Sequence, residues 1–368
     1  MSASIIIIGG GIGGLTLGVK FLESGFATAI IRNQEVCASS AALGIVSSKG
    51  LRVARDPLFT ILLAAQARYP QYLQELASQS QVPIQRSYTG VVEGFRDRVD
   101  YLALVARIYH GEPLGAFGVY RLDQGVLPGP LAARCQGALY YPRDFWFEPG
   151  DVLKALARLF VQRGGTLIAE DVFSLRQDKN LVTVACGAQS FAARAVVLAA
   201  GIKTIGLAET VVHQNLRHKV SRGIKLELAF AVPPPWASPR DEFYIKKGRL
   251  GMVWKGGRLR LGAFDLKEGD HSSPLMDETL AFCGLSQTPG ACAQFAGSRL
   301  FFPQRKPWIG GLGPDFPYSP PFKPGIFVFS GFGKNGFLLA ETCAQSLQKL
   351  VAFSQKDRLA AYLAPTIA

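Results

Sequence analysis

Five apolar runs, rich in β-branched residues, punctuate the chain at 4–8, 28–31, 166–169, 195–201 and 325–329. They are continuous rather than alternating, which predicts strands buried on both faces of a sheet. Residues 15–25 lie between the first two runs, carry helical spacing and stop at Gly25. The opening is therefore a strand–helix–strand unit, and such crossovers build parallel sheets. An amphipathic helix is predicted over 56–79. A second follows Glu148-Pro149-Gly150-Asp151, with Val152, Leu153, Leu156, Leu159 and Phe160 apolar and Gly164-Gly165 as its stop. A third covers 335–352. The remaining pattern is of short strands at 88–92, 99–102, 118–122, 172–176 and 181–186, with a β-rich stretch over 217–264. The prolines at 233–235 and the segment 313–324 read as exposed connections.

Composition narrows the class. The chain has 368 residues, 48% apolar and 18% charged, which excludes a disordered or fibrous protein. No apolar run approaches the roughly 20 residues of a membrane helix, and the first strand leaves no space for a secretory leader. The six cysteines (37, 135, 186, 283, 292, 343) form no CxxC, and the four histidines do not join them at zinc spacing. A reduced, cytoplasmic protein without a structural metal is expected. The net charge is +13, and it is unevenly placed: residues 217–260 hold eleven Lys and Arg against three acids, a surplus of eight. This stretch suits an anionic substrate, a nucleic acid such as tRNA, or an acidic partner, and equally a merely solvated basic face.

The candidate chemistry begins at Gly9-x-Gly11-x-x-Gly14, between the first strand and the first helix. Gly9 permits a tight turn, Gly11 lets backbone approach a pyrophosphate, and Gly14 lets helix pack on strand. Ile12 lies in this turn as a further candidate contact, ahead of the helix, whose N-terminal amides and dipole favour phosphate. The spacing alone is common, but here strand, turn, helix and strand fall in register. An acid usually closes the second strand to bind ribose; this chain has Arg32-Asn33, with Glu35 slightly beyond. Glu35 could substitute, or Arg32 could pair with the adenosine end. FAD and NAD share this fingerprint. Small residues around Ser39, Ser40, Ala42, Leu43 and Gly44 would let a flat ring lie close to backbone. The turn Gly331-Phe332-Gly333-Lys334-Asn335-Gly336-Phe337 would aim a second helix start at the anionic edge of a reduced flavin. Together these predict an α/β fold: a Rossmann-like FAD-binding domain with a parallel sheet, and a largely antiparallel β-sheet substrate domain. The expected boundaries are 1–59, 148–212 and 321–368 for the first, and 60–147 and 213–320 for the second.

The chain resembles the D-amino acid oxidase/glycine oxidase family of FAD-dependent oxidoreductases. The likeness runs over most of the length. It rests on the glycine start, Ala42-Leu43-Gly44, Tyr141-Pro142 with 148–153, Ala199-Ala200-Gly201, Gly297-Ser298-Arg299 followed by 306–310, and the turn 331–339. The resemblance implies oxidation of an amine or amino acid to an imine by hydride transfer to flavin N5, with FAD held also by Val172, Ala200 and Gly201. It implies that Arg299, eight residues before Pro307, pairs with a substrate carboxylate; a structural pairing with Asp315 or a loop carbonyl is the alternative. Lys334 is expected beside the flavin. A tyrosine common in the family's active-site strand is replaced around Met252 and Trp254, for which Tyr244 is a candidate substitute. Related readings are an enzyme acting on carboxymethylaminomethyl-uridine in tRNA, and a flavin-binding maturation or interaction subunit without oxidase activity.

Overall fold

The run Ile5–Ile8 forms the centre of the protein because neither of its faces meets water. In the computed structural model, which describes residues 4–33, 35, 37–47, 57–109, 114, 118–127, 129–132, 134–178, 180–187, 189–230, 243–247, 250–262, 291–312, 325–353, 355 and 357–363, all four isoleucines are buried. They pair in parallel with Thr28–Arg32 on one side and Ala195–Leu198 on the other. The six-stranded sheet runs Trp308–Gly311, Gly325–Ser330, Ala195–Leu198, Ile5–Ile8, Thr28–Arg32, Thr166–Ala169. Only the outermost pair, 308–311 with 325–330, is antiparallel. Ile5 and Ile7 pack into a core with the helices Ile12–Glu23, Pro57–Ser80, Pro149–Gln162 and Gly336–Phe353. Ile6 and Ile8 pack against Val182 and Val184 of a three-stranded antiparallel sheet on the opposite face. Two covered faces explain the unbroken apolar runs.

A second sheet of eight strands runs Ala291–Phe301, Lys219–Ala229, Arg258–Gly262, Leu250–Lys255, Phe243–Lys247, Val91–Phe95, Gly137–Tyr141, Tyr120–Asp123. It is antiparallel except where 243–247 meets 91–95. Ile224, Leu226 and Leu228 face Met252, Trp254, Leu259 and Leu261 in its core. Their strand neighbours Ser221, Lys225 and Glu227 occupy the other face. There they stand opposite Arg299, Phe295 and Ala293 of the edge strand.

The structure corrects some local expectations. The first helix starts at Ile12 rather than 15, because Gly11 takes the extended cap position and Ile12–Gly14 already form the first turn. Residues 99–102 are helix, within Arg98–Tyr109, not strand. Asp97 Oδ1 accepts from the Asp100 amide at 2.8 Å, and Asp100 Oδ2 accepts from the Arg96 amide at 2.9 Å, so the two acids together start a helix. The predicted strand 88–92 is broken at Gly90 (φ +82), where an added Cβ would lie 2.4 Å from the Tyr140 ring; the strand begins at Val91. Strands Phe145–Phe147 and Gln189–Ala193 carried no clear sequence signal. The segments 233–235 and 313–324 lie outside the described residues.

Candidate active site

The carboxyl ends of the parallel strands open into one large cleft of about 1320 Å³. This is where open α/β sheets bind ligands. Ile8 and Gly9–Gly13, Ile31–Asn33, Ala199–Gly201 and Phe329–Gly333 all line it. Each glycine there has a measurable reason. Gly9 has φ +117, and a Cβ on it would sit 2.4 Å from the Ala199 carbonyl oxygen. A Cβ on Gly14 would lie 1.9 Å from the Gly9 oxygen, so this glycine sets helix–strand packing and does not itself line the cleft. Gly11 is different: an added Cβ would meet only Ser39 Oγ, at 3.1 Å. Its bare Cα faces open space, beside the amides that begin the helix. Ser39 Oγ accepts from the Ile12 amide at 3.1 Å and ties the small-residue segment to that helix start.

A second helix start closes the same space. Gly331 (φ +81) and Gly333 (φ +56) leave no room for side chains, because Phe302 and Phe301 press against them. Phe301 ends the edge strand that carries Arg299 and Phe302 follows it, so the glycine turn and the end of the Arg299 strand are seated on one another. Lys334, Asn335, Gly336 and Phe337 line the cleft from this turn, with Lys334 exposed. Arg299 is half-buried, lines the cleft and stands opposite Ser221. Two residues earlier, an added Cβ on Gly297 would lie 2.7 Å from Ala38 Cα, so this sheet face abuts the small-residue segment.

The expected residues therefore converge, with three exceptions. Ser40 does not line the cleft; its hydroxyl donates to the Cys37 carbonyl at 2.8 Å and shapes the turn. Gly14 acts through packing. Tyr244 pairs through its backbone with Val253, and its side chain lies outside the described residues. Met252 and Trp254 are fully buried core. Ala42, Leu43 and Gly44 line the cleft, as do Val172, Arg32 and Asn33. The Arg32 stem covers Gly10, where an added Cβ would come within 2.4 Å of Arg32 Cδ. Glu35 reaches the cleft margin and pairs with Lys203 at 3.0 Å; Lys203 also meets Asp171 at 3.4 Å. The bond from Glu35 holds the Lys203 ammonium above its ordinary pKa.

Sequence reasoning missed Trp146, which is fully buried and donates from Nε1 to the Leu43 carbonyl at 2.8 Å. It also treated the basic stretch as one patch, and the structure divides it. Lys225 and Arg260 turn inward onto Glu227 (3.1 and 3.3 Å), and Arg260 reaches Glu148 at 3.3 Å. Lys255 and Arg260 lie over the Trp146 ring. Burial would raise the Glu227 pKa, but Lys225 and Arg260 outweigh it and hold the carboxyl below its usual value. Arg217, Lys219 and Arg222 instead line the cleft. A second feature invisible in the sequence is Arg305, also lining the cleft, in the left-handed region at φ +58.

The geometry defines an α/β fold with its cleft at the strand ends: bare glycine backbone, two helix starts and a cationic side chain converge on a common space. The chain belongs to the DAO family of FAD dependent oxidoreductases, which matches residues 4–350. It is 25% identical over 361 residues to a glycine oxidase of Geobacillus kaustophilus, covering 91% of this chain and 89% of that protein. A glycine oxidase of Bacillus licheniformis is 28% identical over 219 residues, which is 55% of this chain and 56% of that one. Among solved structures, the Geobacillus kaustophilus glycine oxidase superposes with a TM-score of 0.80 at 23% identity over the full length of both chains. Iminodiacetate oxidase from Chelativorans sp. BNC1 superposes with 0.77 at 19% identity over 98% of each. The protein is thus an FAD-dependent oxidoreductase. The cofactor fits the cleft on its own evidence. The volume exceeds the roughly 300–1,000 Å³ of ordinary small-molecule pockets, and Gly11 leaves open the space a pyrophosphate needs. Among the described residues, no helix is long and apolar enough to cross a membrane.

Proposed function

We propose that the enzyme oxidises the C–N bond of an amine or amino acid that carries a carboxylate. The observation carrying this reading is Arg299, a half-buried guanidinium on the strand face that abuts Ala38 and lines the cleft. A planar fork of donors grips a carboxylate at two points and fixes the adjoining carbon in orientation. Bound FAD supplies the two-electron acceptor. Gly9, Gly11 and the amides from Ile12 would hold its diphosphate, Arg32, Asn33, Glu35 and Val172 would border its adenosine end, and Ala42–Gly44 and Gly331–Phe337 would border its ring. Trp146 keeps the Leu43 backbone in place by its hydrogen bond. Lys334 would add a fixed positive charge at the ring's edge, and Tyr244 would border the substrate from the strand paired with the one that holds the cleft-lining Gly251.

In this reading residues 1–59, 148–212 and 321–368 bind the cofactor, while 60–147 and 213–320 cover the substrate. Strand Trp308–Gly311 crosses that division and joins the cofactor sheet. The free thiols of Cys37, Cys186 and Cys343 support a reducing, cytoplasmic setting.

The test is anaerobic flavin bleaching, and peroxide release in air, on a panel of D-amino acids, glycine, sarcosine and N-alkyl glycines. At least one carboxylate-bearing amine should reduce the flavin. Arg299→Ala should lower its kcat/KM roughly hundredfold, as expected for losing about 3 kcal/mol of charged hydrogen bonding, with flavin content unchanged. Normal turnover by that variant would remove Arg299 from the site.

A further inference from the structure

The charge along the cleft is split between its two ends. Its described acidic lining residues, Glu35, Glu170 and Asp171, stand near the ends of the strands Thr28–Arg32 and Thr166–Ala169, at the adenosine side. Around Arg299 the described lining carries only cations: Lys219, Arg222, Arg305 and Lys334, with Arg217 and His218 beside them. Arg299 alone would suffice for one carboxylate.

We propose that Lys219 and Arg305 form a second anion subsite beside Arg299, so that the substrate is an amine bearing two acidic groups; this rests on the amine-oxidising reading above. Lys219 lies on the same sheet face as Arg299. Ser221 stands directly opposite Arg299, and Lys219 is two residues along the same strand. Such diagonal neighbours lie roughly 7–8 Å apart, their Cβ atoms somewhat closer. Two anions joined by a short chain span that gap. Arg222 opposes Ser298, and strand alternation turns its side chain to the opposite sheet face, with Ile224 and Leu226, so it stands outside the subsite. Arg305 lines the cleft just beyond the end of the Arg299 strand, on the one-turn helix Pro303–Arg305, in a backbone region that favours glycine. A charged residue retained in such a conformation, inside a cleft, is an outlier of the kind found at ligand clamps.

The division of the basic stretch argues for a small ligand. Lys225 and Arg260 are spent in inward ion pairs, and Lys255 and Arg260 cover Trp146. A nucleic acid would use a broad solvated face, whereas here Lys219 shares the sheet face of Arg299 and lines the same cleft.

Calorimetry on the holoenzyme at low ionic strength tests the subsite without turnover, using glutarate and butyrate as inert probes. Glutarate should bind at least tenfold more tightly than butyrate. The double variant Lys219→Gln/Arg305→Gln should bring the two affinities within threefold. Both side chains are exposed, and flavin absorbance verifies that the variant is folded. In turnover, N-(2-carboxyethyl)glycine should exceed sarcosine in kcat/KM at least tenfold, and the double variant should collapse that ratio. Equal binding of glutarate and butyrate by the wild type, or a preference that survives the double substitution, would overturn the subsite. If glutarate binds tightly and loses affinity in the variant while no amine bleaches the flavin, the subsite stands and the amine-oxidising reading falls. Displacement of glutarate by unmodified tRNA at micromolar concentration, without turnover of either amine, would replace the small diacid with a polyanion and overturn the proposal.

Discussion

Single residues decide whether this cleft can exist. Gly14 is the sharpest case, since a methyl group there would overlap the Gly9 carbonyl at 1.9 Å. The clash is with backbone and cannot be relieved by a rotamer. Gly14→Ala should therefore cost at least the roughly 1–3 kcal/mol of an overpacked core and lower the flavin-to-protein ratio, read from absorbance and a thermal melt. The need for glycine at 9, 11 and 14 was legible because each follows from ligand and packing geometry at fixed spacing. Ser39 and the turn 331–337 were also legible as small or glycine-rich segments following strands. Arg305 was not, because a backbone angle leaves no trace in residue identity. Trp146 was missed because its neighbours Phe145 and Phe147 make it look like ordinary core, and its bond to Leu43 spans more than a hundred residues.

Elements were legible in proportion to how completely they are buried. The strands 5–8, 28–32, 166–169, 195–198 and 325–330 declared themselves because both sheet faces are covered. Where one face is open, the pattern weakens. Residues 99–102 show a short alternation that fits strand, yet the local chemistry of Asp97 and Asp100 settles them into helix. Asp97→Ala should destabilise the protein by about 1 kcal/mol, seen as a lower denaturant midpoint, with cleft chemistry unaffected. The Pro149–Gln162 helix shows the opposite case. Pro149 at its first position and the Glu148 carboxylate accepting from the Gly150 amide advertise its start in the sequence. The same Glu148 also takes Arg260 from the eight-stranded sheet, a duty that no local pattern could reveal.

At the scale of the molecule, Lys225, Glu227, Arg260 and Glu148 link the eight-stranded sheet to the start of helix Pro149–Gln162. Glu227 is held below the ordinary carboxyl value near 4.5 in the folded protein. The unfolded chain therefore binds more protons in that window, so this contribution is complete above about pH 4.5 and is lost as pH falls through the lowered value. Denaturant midpoints taken between pH 7 and pH 3 should fall across that range. Glu227→Gln should flatten part of the fall and lower stability at pH 7 by about 1–3 kcal/mol. That is less than for a fully dry pair, because Glu227 keeps 19% of its side chain exposed. The network was hidden in the sequence as part of a basic stretch, since net charge says nothing of which cations turn inward. The two-sheet architecture, by contrast, could be read from the return of buried strands late in the chain.

One of those late strands has a consequence for biosynthesis. Gly325–Ser330 sits beside Ala195–Leu198 in the sheet interior, and the glycine turn after it walls the cleft. A nascent polypeptide still on the ribosome can display the amino-terminal loop long before that wall emerges. Capture of the yellow cofactor must then wait until translation is nearly finished, and ribosome-stalled fragments ending before residue 325 should remain colourless.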